Sequence, residues 1–242
     1  GLSPYEAFND FNDTLRSAFI RRVEELAALG ILELGIFFDD MHVTLPDLAR
    51  RQIEITHLAR DTAPHLRLNI TPSFYSDDPD LGNGLHPDIG IYWTGEEVCA
   101  REISPGHLAR IAAILKRKPL LWDNYPVNDG PRMSQYLHMR GFTGRPAQNA
   151  EFLAGHAINP ASQAILSCIP AITLAKSYQL GAAYCYGAEG FAASEAVVGG
   201  ELAVMLRNDL LSFQDLGLEK LEARIEGLIA RYQAINQAGA RE

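Results

Sequence analysis

Cysteine is scarce in this chain, with 3 in 242 residues and no CxxC pair. An odd count, with Cys99, Cys168 and Cys185 each among apolar and small residues, speaks against a disulfide framework. It predicts buried free thiols in a reducing, cytoplasmic setting. No apolar run is long enough to cross a bilayer and no signal-peptide pattern opens the chain, so a soluble protein without a membrane partner is expected. A start inside a longer polypeptide would leave secretion open. Basic runs are also missing, and the formal net charge is −9. A nucleic acid is therefore not an expected partner. No glycine-rich turn follows any predicted strand: Ile70–Tyr75 (ITPSFY) is no phosphate loop, and Thr94–Val98 (TGEEV) holds a single glycine. That removes a dinucleotide-binding reading. Internal repeats and low-complexity segments are absent as well.

What is present is a core-forming composition, 47% hydrophobic, patterned alternately at periods of about two and about 3.6 residues. A helix capped by Asn12 or Asp13 is predicted to run to Leu29, with Gly30 as its C′ residue. A strand follows at Leu34–Phe38, and a helix opened by Thr44 and Pro46 runs through Leu58. Further strands are expected around Leu66–Ile70, Ile89–Trp93, Leu120–Trp122 and His156–Ile158. Helices are expected over Leu108–Leu115 and after Asn159-Pro160. Beyond Leu180 small residues dominate to Gly200, followed by one helix around Leu202–Leu210 and another from Leu218 to Ile235.

The sharpest chemical signal is Asp39-Asp40, which ends the apolar run Ile36-Phe37-Phe38. Adjacent carboxylates repel, and burying both charged is costly, so one is expected to keep its proton. Both can serve one site only if the backbone turns at Asp39, because successive strand residues face opposite ways. Helix capping or a solvated turn is the plain alternative. A metal site of Asp39, Asp40 and His42 is a weaker one, since no further ligands occur at a recognisable spacing. Asp39, Asp40, Tyr75, Thr94, Asn124 and Asn159 all stand at or just past the C-terminal end of a predicted strand. That is where a β/α barrel carries its active site.

Five segments in order, FFDDM (Phe37–Met41), TPSFY (Thr71–Tyr75), WTGEEV (Trp93–Val98), LLWDNYPVND (Leu120–Asp129) and INP (Ile158–Pro160), resemble glycoside hydrolase family 84. These are the retaining β-N-acetylglucosaminidases that include protein O-GlcNAcases and hyaluronidase-like bacterial enzymes. The resemblance implies a (β/α)8 TIM-type barrel of which residues 1–180 supply about strands four to eight. Residues 181–242 would form a helical C-terminal segment. Gly1-Leu2 matches the family just after its third strand, so this chain is expected to be part of a longer polypeptide, or to be completed by a missing barrel half or by self-association.

The implied activity is removal of terminal β-linked N-acetylglucosamine from a glycan or glycoprotein, with no cofactor and no metal. Ordinary retaining hydrolysis needs carboxyls roughly 5–5.5 Å apart across the scissile bond. Two successive aspartates fit substrate-assisted catalysis better, with the 2-acetamido oxygen as nucleophile and an oxazoline intermediate. By resemblance, Asp39 accepts the acetamide N–H, and Asp40 is the acid and then the base. Tyr75 holds the acetamide oxygen, while Thr71, Thr94 and Val98 line the pocket for its methyl group above a floor formed by Trp122. Asn124 fixes the acetamide and acid groups, and Asp129 and Asn159 grip sugar hydroxyls. Ordinary alternatives stand beside these: strand-end packing for Val98, core for Trp122, a turn residue for Asp129 and a helix cap for Asn159. Asp123 and Asn128 read as scaffold. A catalytically impaired glycan-binding fragment and a metal-dependent barrel hydrolase are the alternative functions.

Overall fold

The computed structural model describes residues 1–39, 41, 47–74 and 79–242. In chain order it contains α1 (Tyr5–Asn9), α2 (Asp13–Ala28), β1 (Glu33–Phe37), α3 (Leu48–Thr62) and β2 (Arg67–Thr71). Next come α4 (Pro79–Gly84), β3 (Gly90–Trp93), α5 (Pro105–Leu115), β4 (Leu120–Asp123), α6 (Gly130–Met133) and β5 (Gly155–Ile158). The C-terminal part holds α7 (Ala164–Leu180), α8 (Tyr186–Val197), α9 (Gly200–Leu211), α10 (Leu218–Leu221) and α11 (Ile225–Gln233). Two compact units result. One comprises Gly1–Thr94, Gly106–Leu121 and Phe152–His156; the other comprises Gly95–Pro105, Trp122–Glu151 and Ala157–Glu242.

The strands form one sheet in the order β1-β2-β3-β4-β5. The β1/β2, β2/β3 and β3/β4 pairs are parallel, with Glu33 opposite Arg67, Asn69 opposite Gly90 and Tyr92 opposite Leu120. A doubly wound sheet would reverse its strand order at a switch point, whereas this order never reverses. The fold is thus a partial (β/α) barrel, as expected from the polar strand ends. Register sets the core. Ile36, Ile70 and Ile91 stand opposite one another on three neighbouring strands and are all fully buried. Each methylene in that row is worth about 0.8 kcal/mol of hydrophobic stabilisation.

Helix α2 shows how local sequence delimits an element. The Asn12 side chain accepts from Leu15 N–H at 3.0 Å, which satisfies a donor the first turn leaves open. Gly30 follows the last turn at φ +77°, a conformation that suits glycine. Phe19 and Val23 are the helix's buried residues.

In the second unit, Leu166 and Ile169 of α7, Ala193 of α8, Leu202 and Leu206 of α9, and Met139 form one cluster. The small residues before Gly200, not predicted as an element, are α8. Alanine favours the helix. Gly141 marks a close approach to α8, because a Cβ there would lie 2.6 Å from the Tyr186 carbonyl.

Two expectations are corrected. The single helix from Leu218 to Ile235 is broken at Glu222, whose φ of +26° is not helical. Leu221 and Leu228 are buried and Ile229 is exposed. The cysteines are free, as expected, but exposed rather than buried. Cys168 shows the reason. In α7 the buried residues Leu166, Ile169, Pro170, Thr173, Leu174 and Ser177 share one arc. At about 100° per residue Cys168 points the other way, so apolar neighbours in sequence are not its neighbours in space. Cys185 immediately precedes α8 and Cys99 lies in the loop after β3.

Candidate active site

The first unit carries three of the predicted positions. Strand β1 ends at Phe37, and the fully buried Phe38 donates its N–H to the Thr71 carbonyl at 2.8 Å. Asp39 follows and is exposed. Met41 N–H donates to the Phe38 carbonyl at 3.3 Å, a turn-type contact just past the end of β1. Thr71 closes β2 and Thr94 follows β3, and both are buried. The Thr71 hydroxyl and that of Ser73 are buried without a hydrogen-bond partner among the described residues. A buried hydroxyl left unsatisfied carries a desolvation cost. Asp40, His42 and Tyr75 lie outside the described residues.

The second unit carries the other five. Trp122 is the third residue of β4 and is half-buried. Its Nε1–H donates to Asn124 Oδ1 at 3.1 Å, and Asn159 Nδ2 donates to the same oxygen at 3.0 Å. Asn124 Nδ2 donates to the Val98 carbonyl at 2.7 Å. This orientation of the amide follows from chemistry: an indole N–H can only donate, so the atom facing it must be oxygen. Asn124 therefore joins the ends of β4 and β5 to the loop after β3, and brings Val98, Trp122, Asn124 and Asn159 together. The helix-cap alternative for Asn159 does not hold, since α7 begins only at Ala164 behind Gln163. Nor does strand-end packing hold for Val98, whose side chain is 65% exposed. Asp129 is exposed and precedes α6 without a side-chain capping bond, so it is a turn residue by position only. It stands close enough to Cys99 for its charge to act there. The Cys99 thiol is pushed up in pKa, first by desolvation and then by the carboxylates of Asp129 and Asp123.

Beneath this network lies a pair the sequence does not reveal. Asp123, buried, accepts two bonds of 2.7 Å from Arg145, at Oδ2 from Nε and at Oδ1 from Nη2. Arg145 Nη2 also donates to the Ala100 carbonyl at 2.7 Å, and Nη1 donates to the carbonyls of Arg101 at 2.7 Å and Thr143 at 3.3 Å. Twenty-two residues separate the partners, and no spacing rule links them. The available signal is Asp123 itself, a carboxylate ending an apolar strand that needs a cation if buried. Tyr178 is pushed up to about 12, first by burial and then by the Asp123 charge. Asn128, read as scaffold, donates to Tyr136 O and Gln163 Oε1 and accepts from Ser162 N–H.

Comparisons with known proteins identify the family. A family model described as beta-N-acetylglucosaminidase matches residues 1–204. The chain is 24% identical over 184 residues to protein O-GlcNAcase of Rattus norvegicus, covering 67% of this chain and 20% of that protein. The Mus musculus protein O-GlcNAcase gives the same figures. A solved structure, a mutant of the Thermobaculum terrenum O-GlcNAc hydrolase, superposes with a TM-score of 0.77 at 25% identity, over 92% of this chain and 52% of that one. The chain thus spans one fifth of the rodent relatives and about half of the solved neighbour. Because the matched segment takes in all five strands and every polar strand end described above, this chain belongs to the beta-N-acetylglucosaminidase family.

Proposed function

We propose that the protein containing this chain removes β-linked N-acetylglucosamine from a glycan or glycoprotein by a retaining mechanism in which the substrate's own acetamide is the nucleophile. The observation that carries this reading is the Asn124 network. It sets a half-buried indole and two side-chain amides side by side at the ends of β4 and β5 and ties the backbone of Val98 to them. An apolar ring beside paired amides suits an N-acetyl group, which has a methyl to shield and an amide to bond.

In the first step the acetamide oxygen attacks C1 as the C1–O bond to the leaving group breaks. Asp40 gives its proton to the departing oxygen. The acetamide nitrogen gains positive charge, and Asp39 accepts its N–H. In the second step Asp40 takes a proton from water, whose oxygen bonds C1 while the oxazoline ring opens. Two inversions at C1 leave the β configuration intact. The roles need different protonation states, and adjacent carboxyls supply them, since charge on Asp39 favours the proton on Asp40. Tyr75 orients the acetamide oxygen, Thr71, Thr94, Val98 and Trp122 surround the methyl group, and Asp129 and Asn159 bind hydroxyls.

The test is release of methylumbelliferone from its β-N-acetylglucosaminide by the full-length protein and by Asp40→Asn. Loss of an acid–base residue is expected to lower kcat by about 10²–10⁴-fold. Wild-type turnover by Asp40→Asn would remove the assigned acid.

A further inference from the structure

Val98, Trp122, Asn124 and Asn159 are proposed sugar contacts in the second unit. Those residues sit on three separate segments, and an acetamide pocket works only if all three are held in register. Exposed loops do not hold themselves: Val98 lies among exposed residues, from Glu96 to Cys99.

The Arg145 guanidinium has five N–H donors. Two meet Asp123, and the other three meet the carbonyls of Ala100, Arg101 and Thr143. Ala100 and Arg101 are two and three residues beyond Val98. Asp123 lies between Trp122 and Asn124, and its own carbonyl accepts from Asn159 N–H at 2.8 Å. One buried side chain therefore ties the loop bearing Val98 to the strand end bearing Trp122 and Asn124. The Asp123 peptide then extends the tie to Asn159. A rigid planar fork does this; a lysine has one point of attachment and cannot reproduce it. Gly144 fits the same purpose. Its φ is +70°, and a Cβ there would lie 2.4 Å from the Arg101 carbonyl, so the loop closes down on residue 144.

We infer that Arg145 is a positioning residue for acetamide recognition, clamping the Val98 loop against the end of β4 so that Asn124 presents a fixed amide. This rests on the proposed function for its substrate and on the hydrogen-bond geometry for the clamp. Two variants of the full-length protein test it: Arg145→Lys, which keeps the charge beside Asp123, and Gly144→Ala, which crowds the Arg101 carbonyl while keeping both Arg145 and Asp123 in the sequence.

The readout is the inhibition constant of N-acetylglucosamine against that of glucose, which does not depend on how much of the enzyme is folded. Both variants are expected to raise the N-acetylglucosamine constant by roughly tenfold or more, as misplacement by about 1 Å commonly does, and to leave the glucose constant alone. Hydrogen exchange over residues 98–104 is expected to quicken in both. Unchanged exchange in the two variants would overturn the clamp even in a protein with no glycosidase activity. Unchanged selectivity in an active enzyme would overturn its role in recognition. An inactive wild-type protein whose two variants show the faster exchange would sink the proposed function and leave the clamp standing.

Discussion

Arg117 in the first unit and Arg145 in the second both sit among backbone carbonyls, and both satisfy all five N–H donors. Arg117 donates from Nε to Leu115, from Nη1 to His86 and Ile89, and from Nη2 to Gly82 and Leu85, at 2.8–3.1 Å. It stitches the end of α5 to α4 and to the segment between α4 and β3, and makes no hydrogen bond to any residue assigned a substrate contact. Half-burial lowers its pKa, with no carboxylate among the described residues contributing to the shift. Arg145 is more deeply buried and shares its donors between three carbonyls and a carboxylate. The contrast separates two uses of one side chain. A cation that meets only carbonyls leaves dipoles behind when removed, and water can repair part of that loss. A cation that meets a buried carboxylate leaves a charge behind.

The largest effect expected from this difference is in Arg145→Met. Uncompensated Asp123 should cost about 3–5 kcal/mol in urea unfolding. A loss below about 1 kcal/mol would break the comparison, because Asp123 would then be able to shed or hydrate its charge. Adding Asp123→Leu to that variant should restore about 2 kcal/mol, since an apolar pair replaces an orphan charge. Failure to recover would assign the cost to the Ala100 and Arg101 carbonyls instead. Arg117→Met should cost less, about 1–3 kcal/mol, because its carbonyls can take water.

The smallest effect concerns acid stability and again sets one unit against the other. His57 in the first unit and His138 in the second have pKa values lowered from 6.5, in both cases by desolvation first. The folded state thus disfavours the imidazolium. The stability each histidine contributes is fully present above 6.5 and is lost as pH falls through the folded value. Tm measured downward from neutral pH should fall, and His138→Gln and His57→Gln should each flatten that fall. His138 should have the larger effect. It stacks between Tyr125 and Tyr136, at ring-centroid distances of 5.7 and 5.9 Å.

The strands were legible because each carries a short apolar run bounded by turn residues, and burial in a parallel sheet demands that pattern. The polar strand ends were legible for the same reason: Asp39, Thr94, Asn124 and Asn159 stand where an apolar run stops. Two helical features were not. Helix α8 is built of alanine and glycine and packs by close approach, so it has no strong apolar stripe to read. The break at Glu222 interrupts a spacing that continues on both sides of it. In the site, Asn159 before Pro160 has the local signature of a helix cap, and only the three-dimensional placement of Asn124 gives its side chain a different partner. Arg145 was invisible because its partner is fixed by the meeting of two distant segments. The exposure of the cysteines was misjudged because composition averages over a helix whose faces differ.

The most direct measurement of the central claim is the turnover of aryl glycosides in which the acetyl group carries zero, one, two or three fluorine atoms. Fluorine withdraws electrons from the amide oxygen without enlarging the sugar much. If that oxygen is the nucleophile, kcat/KM should fall steeply and steadily along the series. A flat series would mean that a group of the protein attacks C1, and the assignment of Asp39 and Asp40 as a cooperating pair would be wrong.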